Sequence, residues 1–272
     1  MDVLPFHAVH VDLLQTANAD ALSRLDAYRA LLSSDEHARM ARFVFDRDRR
    51  SFLLTRALVR TTLSRYAPIR PADWQFIANA HGRPEILDRP SGVPDLRFNI
   101  SHTDGLIACA VTIGREVGVD VEQINRRLSH DVAGRHFAPA EVNDLKQLPE
   151  EEQQRVFFDY WTLKEAYIKA RGFGLALPLG DFAFKLNPPQ APTIAFEPAM
   201  DDDPETWQFL QSWPTPQHRL GLAIRRTGDD LPVRIREVVP PAGSCGRSAI
   251  STSATRRIAR RLRRFLRIPT TG

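Results

Sequence analysis

The chain has 272 residues, 43% hydrophobic and 26% charged, which excludes a disordered or fibrous protein and leaves room for one large domain or two smaller ones. Its formal net charge of +4 misleads: residues 243–272 hold eight arginines and no acid, so residues 1–242 carry 29 basic against 33 acidic side chains, a balance that argues against a general nucleic-acid binder. Two cysteines, Cys109 in an apolar run and Cys245 in the tail, make neither a metal-binding spacing nor a disulfide framework, and fit a reducing, cytoplasmic compartment. The opening residues lack a basic leader ahead of an apolar stretch, so no secretion signal is expected. No window approaches the ~18 apolar residues of a membrane span. In chain order, residues 6–13 alternate as a strand, and residues 19–32 read as a helix with Leu22, Leu25, Tyr28, Leu31 and Leu32 on one side. Ser34 is placed to cap an arginine-rich helix with a break near residues 45–48. Met40, Phe43, Val44, Leu53, Leu54, Ala57, Leu58 and Thr61 form its expected buried side. A strand, a Gly82 turn and a short extension follow at residues 74–86, then strands at 96–100, 106–113 and 117–124. Residues 129–137, 139–148 and 151–170 read as helices, the last the clearest, and four short β-like runs follow before the tail. Helices and strands thus segregate in two successive rounds, which predicts an α+β protein of two similar halves joined near residues 114–118. No convincing internal repeat is read in support. The arginine-rich tail reads as a solvated extension, with an amphipathic helix against an acidic surface as the alternative.

Three clusters carry chemistry. On a strand, Asp120 and Glu122 share one face while Val119 and Val121 point into a core. Two neighbouring carboxylates repel unless a hard divalent cation with phosphate relieves them; two solvated acids would read the same way. On the long helix, Trp161, Glu165 and Lys169 are spaced i, i+4, i+8 on a common face. Glu165 and Lys169 alone would pass for a surface ion pair, but the large Trp161 side chain on that face predicts that it is covered. The third cluster is the strand end and turn from Phe98 to Gly105, which presents the Ser101 hydroxyl, the His102 imidazole and backbone N–H groups, equally able to bind phosphate oxygens or to close a turn unliganded. Arginines on the first helical hairpin, and Arg83, add guanidinium forks suited to phosphate. No P-loop, kinase glycine loop or G-x-S-x-G elbow is present.

Taken in order, Gly82-Arg83-Pro84, Phe98-Asn99-Ile100-Ser101-His102, Gly118-Val119-Asp120-Val121-Glu122 and Trp161-x-x-Lys164-Glu165-Ala166-x-x-Lys169 closely resemble the Sfp-type 4′-phosphopantetheinyl transferases, over about residues 39–178. The resemblance implies a pseudo-dimer of two α+β halves with the active site at their interface; with the join read above, the halves are residues 1–115 and 116–242, and residues 243–272 read as a flexible tail. It implies transfer of 4′-phosphopantetheine from coenzyme A to a serine of an apo acyl or peptidyl carrier protein, releasing 3′,5′-ADP. Asp120, Glu122 and Glu165 would hold Mg²⁺, with Mn²⁺ able to substitute. Coenzyme A would meet Arg39, Arg83, Asn99, Ser101, His102, Asp120, Glu165 and Lys169, with residues 78–83 against its nucleotide. Glu165, Lys169 and His102 would act in catalysis, Glu165 as general base. At the positions of the basic pair in well-known members this chain has Glu36 and Arg39, so only Arg39 carries over to the 3′-phosphate. A chain of two halves completes one site alone, so a monomer is expected. An Mg²⁺-dependent phosphohydrolase and an inactive carrier-binding scaffold are the competing readings.

Overall fold

The computed structural model describes residues 8–125, 132–174 and 177–242. The expectations for the tail, for the start of the first strand and for the start of the helix at 129 lie outside the described residues.

The first half opens with β1 (Val9–Gln15). The helix expected at 19–32 forms as two short pieces, α1 (Ala19–Leu22), whose N-cap Asn18 accepts from the Ala21 N–H, and α2 (Leu25–Arg29). The next helix also divides, into α3 (Ser34–Ala41) and α4 (Asp46–Ser64). The cap of α3 is Ser33 rather than Ser34: its hydroxyl accepts from the Glu36 N–H, and the Glu36 carboxylate accepts in return from the Ser33 N–H. Glu36 also pairs with Arg60, a guanidinium only 1% exposed that donates to the Pro71 and Trp74 carbonyls. Val44, expected on the buried side, is 78% exposed because the chain turns there between the two helices. The half is completed by the hairpin β2 (Phe76–Ala78) and β3 (Pro84–Ile86), then β4 (Leu96–Thr103) and β5 (Leu106–Ile113).

The second half repeats that order. It begins with β6 (Val117–Gln123) and continues through α5 (Val132–His136), α6 (Pro139–Gln147) and α7 (Glu150–Arg171). Then come the hairpin β7 (Phe182–Lys185) and β8 (Thr193–Phe196), and the pair β9 (Trp207–Thr215) and β10 (His218–Arg225). The sheets have matching topology: β1-β5-β4 in one, β6-β10-β9 in the other, all antiparallel. With this correspondence a short repeat becomes visible that sequence reading missed: β1 reads VHVDLLQ where β6 reads VGVDVEQ. A last strand, β11 (Val233–Glu237), returns to the first half and pairs in parallel with β1. Sheet membership therefore crosses the division expected at residue 115.

The two sheets pack face to face, with α4 against the outer face of the first and α7 against the outer face of the second. Leu106, Ala108 and Ala110 of β5 meet Val117, Val119, Val121, Leu220 and Leu222 between the sheets. Ile107, Cys109 and Val111 point the other way, onto Leu54, Ala57 and Leu58 of α4. Burial on both faces explains why β5 is apolar from Leu106 to Val111, and the one polar residue beyond, Thr112, is satisfied by donating to the Ala8 carbonyl. On the far side α7 lies directly on β6 and β10, where Gly118 and Gly221 leave room for its backbone. A Cβ at Gly118 would stand 2.0 Å from the Ala166 carbonyl oxygen.

Strand β6 is an edge strand, and its outward N–H groups need partners. They find them in side chains of β4. Asn99 Oδ1 accepts from Val119 N at 2.9 Å, Ser101 Oγ from Val121 N at 3.2 Å and Thr103 Oγ1 from Gln123 N at 3.3 Å. This ladder stitches the two halves together along one seam.

Candidate active site

At that seam a cleft of ≈ 700 Å³ opens beneath α7. Strand β4 supplies Ile100, Ser101 and His102; β6 supplies Asp120, Val121 and Glu122; α7 supplies Trp161, Glu165 and Lys169, and His136 and Leu179 complete the wall. The three clusters read from the sequence thus face one another. The alternation of β6 sends Val119 and Val121 into the inter-sheet core, and leaves Asp120 and Glu122 on the cleft side. The four-residue spacing on α7 brings Trp161, Glu165 and Lys169 to the same wall, while the rest of the helix, from Phe158 to Ala170, is largely buried.

The Lys169 ammonium lies 2.6 Å from Asp120 Oδ1 and donates to Ser101 Oγ at 3.0 Å. The Ser101 hydroxyl donates in turn to Asp120 Oδ1 at 2.9 Å. Asp120 is only 4% exposed, yet its second oxygen, Oδ2, has no hydrogen-bond partner among the described residues. The face that carries Trp161, Glu165 and Lys169 is partly covered, each residue being half-buried, and the Trp161 indole donates to Glu122 Oε1 at 3.2 Å. Burial, followed by the charges of Asp120 and Glu122, pushes the Glu165 carboxyl above its ordinary range, against the opposing pull of Lys169. Desolvation of the ring within the cleft, and then the Lys169 ammonium, hold the His102 imidazole below the ordinary histidine range, so it is neutral at neutral pH although the residue is exposed overall.

Among the described residues, no three His, Cys, Asp or Glu side chains are drawn together closely enough to hold a metal ion as they stand. The ammonium of Lys169 is instead the cation against Asp120. The donor set nonetheless fits a hard divalent cation: three carboxylates line one cleft, a buried Asp120 oxygen lacks a partner, and the surroundings of Glu165 disfavour its charged form, a cost that a bound cation would relieve.

Several expected site residues are occupied elsewhere. Asn99 is spent on the seam and does not line the cleft. Arg83 also lies outside the lining; its guanidinium donates to the Lys169, Ala170 and Val117 carbonyls. Arg39 is exposed at the end of α3, with its guanidinium 5.7 Å from the centre of the Phe52 ring. Lys164, inside the Trp-x-x-Lys-Glu motif, is fully buried, pairs with Glu141 at 2.7 Å and donates to the Leu179 and Phe182 carbonyls. Burial lowers the Lys164 pKa and raises that of Glu141. His136 is a cleft residue the sequence reading missed; no spacing rule connects the end of α5 to the seam. The counterpart of Asp120 in the first half, Asp12, is fully buried and satisfied by Arg65, Arg236 and Thr62, and Leu14 stands where β6 has Glu122. That side of the pseudo-dimer is closed by the chain's own arginines.

Comparison with known proteins finds one family match in each half. Residues 116–223 match the 4′-phosphopantetheinyl transferase superfamily, and residues 21–113 match the family described as 4′-phosphopantetheinyl transferase, N-terminal. The 4′-phosphopantetheinyl transferase HetI of Nostoc sp. (strain PCC 7120) is 37% identical over 209 residues, covering 76% of this chain and 84% of that protein. The 4′-phosphopantetheinyl transferase Sfp of Bacillus subtilis (strain 168) is 32% identical over 162 residues, covering 60% of this chain and 70% of that protein. Among solved structures, the holo-[acyl-carrier-protein] synthase of Neisseria meningitidis is similar with a TM-score of 0.36 and 18% identity, over 41% of this chain and 98% of that one. With a family match in each half, and HetI covered over most of its length, the chain belongs to the 4′-phosphopantetheinyl transferase superfamily and is an enzyme of that class.

Proposed function

We propose that this enzyme transfers the 4′-phosphopantetheine group of coenzyme A to a serine hydroxyl of an apo acyl or peptidyl carrier protein, with release of 3′,5′-ADP. The observation that carries this reading is the meeting of Asp120, Glu122, Glu165 and Lys169 in one cleft at the seam of the two halves. The serine oxygen forms a bond to the β-phosphorus, and the bond from that phosphorus to the bridging oxygen breaks, leaving the electron pair on 3′,5′-ADP. The hydroxyl proton passes to the Glu165 carboxylate, the one cleft carboxylate carried by α7, on the opposite element from Asp120 and Glu122. Lys169 balances charge on the bridging oxygen and leaving phosphate once it exchanges Asp120 for substrate. Neutral His102 and the Ser101 hydroxyl donate to phosphate oxygens. Asp120, Glu122 and Glu165 would hold Mg²⁺, for which Mn²⁺ can substitute, and the bound cation would neutralise charge on the pyrophosphate. Arg39 is the residue assigned to the 3′-phosphate. In this reading residues 1–115 and 116–242 are the two halves, with β11 shared across them, and a monomer completes the site.

Incubation of the protein with coenzyme A, MgCl₂ and a panel of apo carrier proteins tests the proposal by intact mass. A gain of one phosphopantetheinyl group on a carrier, lost on serine-to-alanine substitution of that carrier, supports it. Hydrolysis of coenzyme A with every carrier unmodified overturns it.

A further inference from the structure

A helix ends with carbonyl groups that have no partner inside the helix, and something must satisfy them or let water do so. At the C-terminal end of α7 the partners come from the other half of the protein. Arg83, on the β2–β3 hairpin, donates from Nη1 to the Lys169 carbonyl at 3.0 Å and to the Ala170 carbonyl at 2.8 Å. Its Nη2 reaches the Val117 carbonyl at the start of β6, at 3.4 Å. Asn79 donates to the Gly172 carbonyl at 3.1 Å, while its Oδ1 accepts from the N–H groups of His81 and Arg83 and shapes the turn that carries the arginine. Gly172 sits under this clamp with φ +73°, and a Cβ there would touch both Arg83 Nη1 and Asn79 Nδ2 at 3.4 Å. One guanidinium fork therefore spans the end of α7 and the start of β6, the two elements that carry the cleft's carboxylates and its lysine. A cation at a helix C-terminus is also favoured by the helix dipole.

We propose that Arg83 is a positioning residue: with Asn79 it caps α7 across the junction of the two halves, and so sets where Lys169 and Glu165 stand in the cleft. The backbone of Lys169 is held by Arg83 while its ammonium reaches Asp120 and Ser101, so a loosened cap moves the ammonium directly. A lysine at position 83 could satisfy part of this set from a single ammonium but cannot present two nitrogens in a fixed fork. This assignment rests on the proposed transfer reaction only for its kinetic consequence; the capping itself does not depend on it.

The test compares wild type with Arg83→Met and Arg83→Lys. It uses amide hydrogen exchange over residues 165–174, calorimetric binding of 3′,5′-ADP with MgCl₂, and the kcat and KM for coenzyme A. The proposal expects faster exchange in Arg83→Met and a fall in kcat of about 10- to 100-fold, the size that follows from a misplaced catalytic group. It expects KM for coenzyme A and Kd for 3′,5′-ADP to change less than kcat, and only together with the faster exchange, since Arg83 lies outside the cleft and acts through Lys169 and Glu165. Arg83→Lys keeps the fold and recovers part of kcat. A Kd for 3′,5′-ADP raised about tenfold with unchanged exchange would make Arg83 a direct phosphate ligand and overturn the proposal. Unchanged exchange together with unchanged kcat overturns it as well. If the wild type transfers nothing to any carrier, the proposed reaction fails, and the exchange data still decide whether Arg83 caps the helix.

Discussion

Replacing Gly118 by alanine adds one methyl group at the place where β6 supports α7. The added Cβ would lie 2.0 Å from the Ala166 carbonyl oxygen, 2.4 Å from the Ala170 nitrogen and 3.0 Å from the Ala170 Cα. All three are backbone atoms, so no side-chain rotation relieves the clash. A carbon and a carbonyl oxygen keep roughly 3.3 Å apart, so the helix must retreat by about 1 Å. Overpacking of this kind costs about 1–3 kcal/mol, which lowers the melting temperature by about 2–12 °C for a protein of this size. Ala166 and Ala170 lie one position beyond Glu165 and Lys169, so the same displacement carries both cleft side chains away from Asp120. A shift of that size is worth about 100-fold in rate. Gly180→Ala is the control, because a Cβ there meets nothing within 4 Å. Thermal melts by circular dichroism and carrier modification by mass spectrometry read the two effects. A Gly118→Ala protein that melts and turns over like Gly180→Ala would refute the claim that this glycine sets the height of α7 over the site.

Two further substitutions separate the cleft from the core. Glu165→Gln should abolish transfer and raise stability. The folded-state pKa of Glu165 lies above its unfolded value, so the folded protein holds the extra proton between the two, and ionisation at higher pH costs stability. In EDTA the variant should therefore melt above wild type at pH 7–8, with the gap closing as pH falls through the ordinary carboxylate range; a variant that melts lower at pH 8 contradicts this. Lys164→Met leaves Glu141 buried with its ion pair broken and should cost about 3–5 kcal/mol in denaturant titration. A loss below about 1 kcal/mol would mean that the pair does not hold α7 to α6.

What the sequence disclosed follows from local periodicity. Alternation in β6 separates the valines from Asp120 and Glu122, and a four-residue spacing on α7 aligns Trp161, Glu165 and Lys169; both rules depend only on the chain's own geometry. Roles set by distant partners could not be read that way. Lys164 and Glu165 are adjacent in the same motif, yet one is locked in the core by Glu141 and the other faces the cleft. Arg83 and Asn99 have the right chemistry for a phosphate ligand, but α7 and β6 offer them backbone groups that need partners. The pairing of β11 with β1 likewise has no local signature, since a parallel partner more than 200 residues away leaves no turn between the strands to announce it. The repeat between β1 and β6 is too short to stand out until the matching sheet order aligns it.

The central claim is that carboxylates from β6 and α7 converge on one cation beside the substrate's phosphates. Crystals grown with coenzyme A and MnCl₂, measured at a wavelength where manganese scatters anomalously, test it most directly. The account predicts one anomalous peak in the cleft, ligated by Asp120, Glu122 and Glu165 and by pyrophosphate oxygens, with Lys169 moved off Asp120. A peak elsewhere, or coenzyme A bound outside the cleft with the Lys169–Asp120 pair intact, would contradict it.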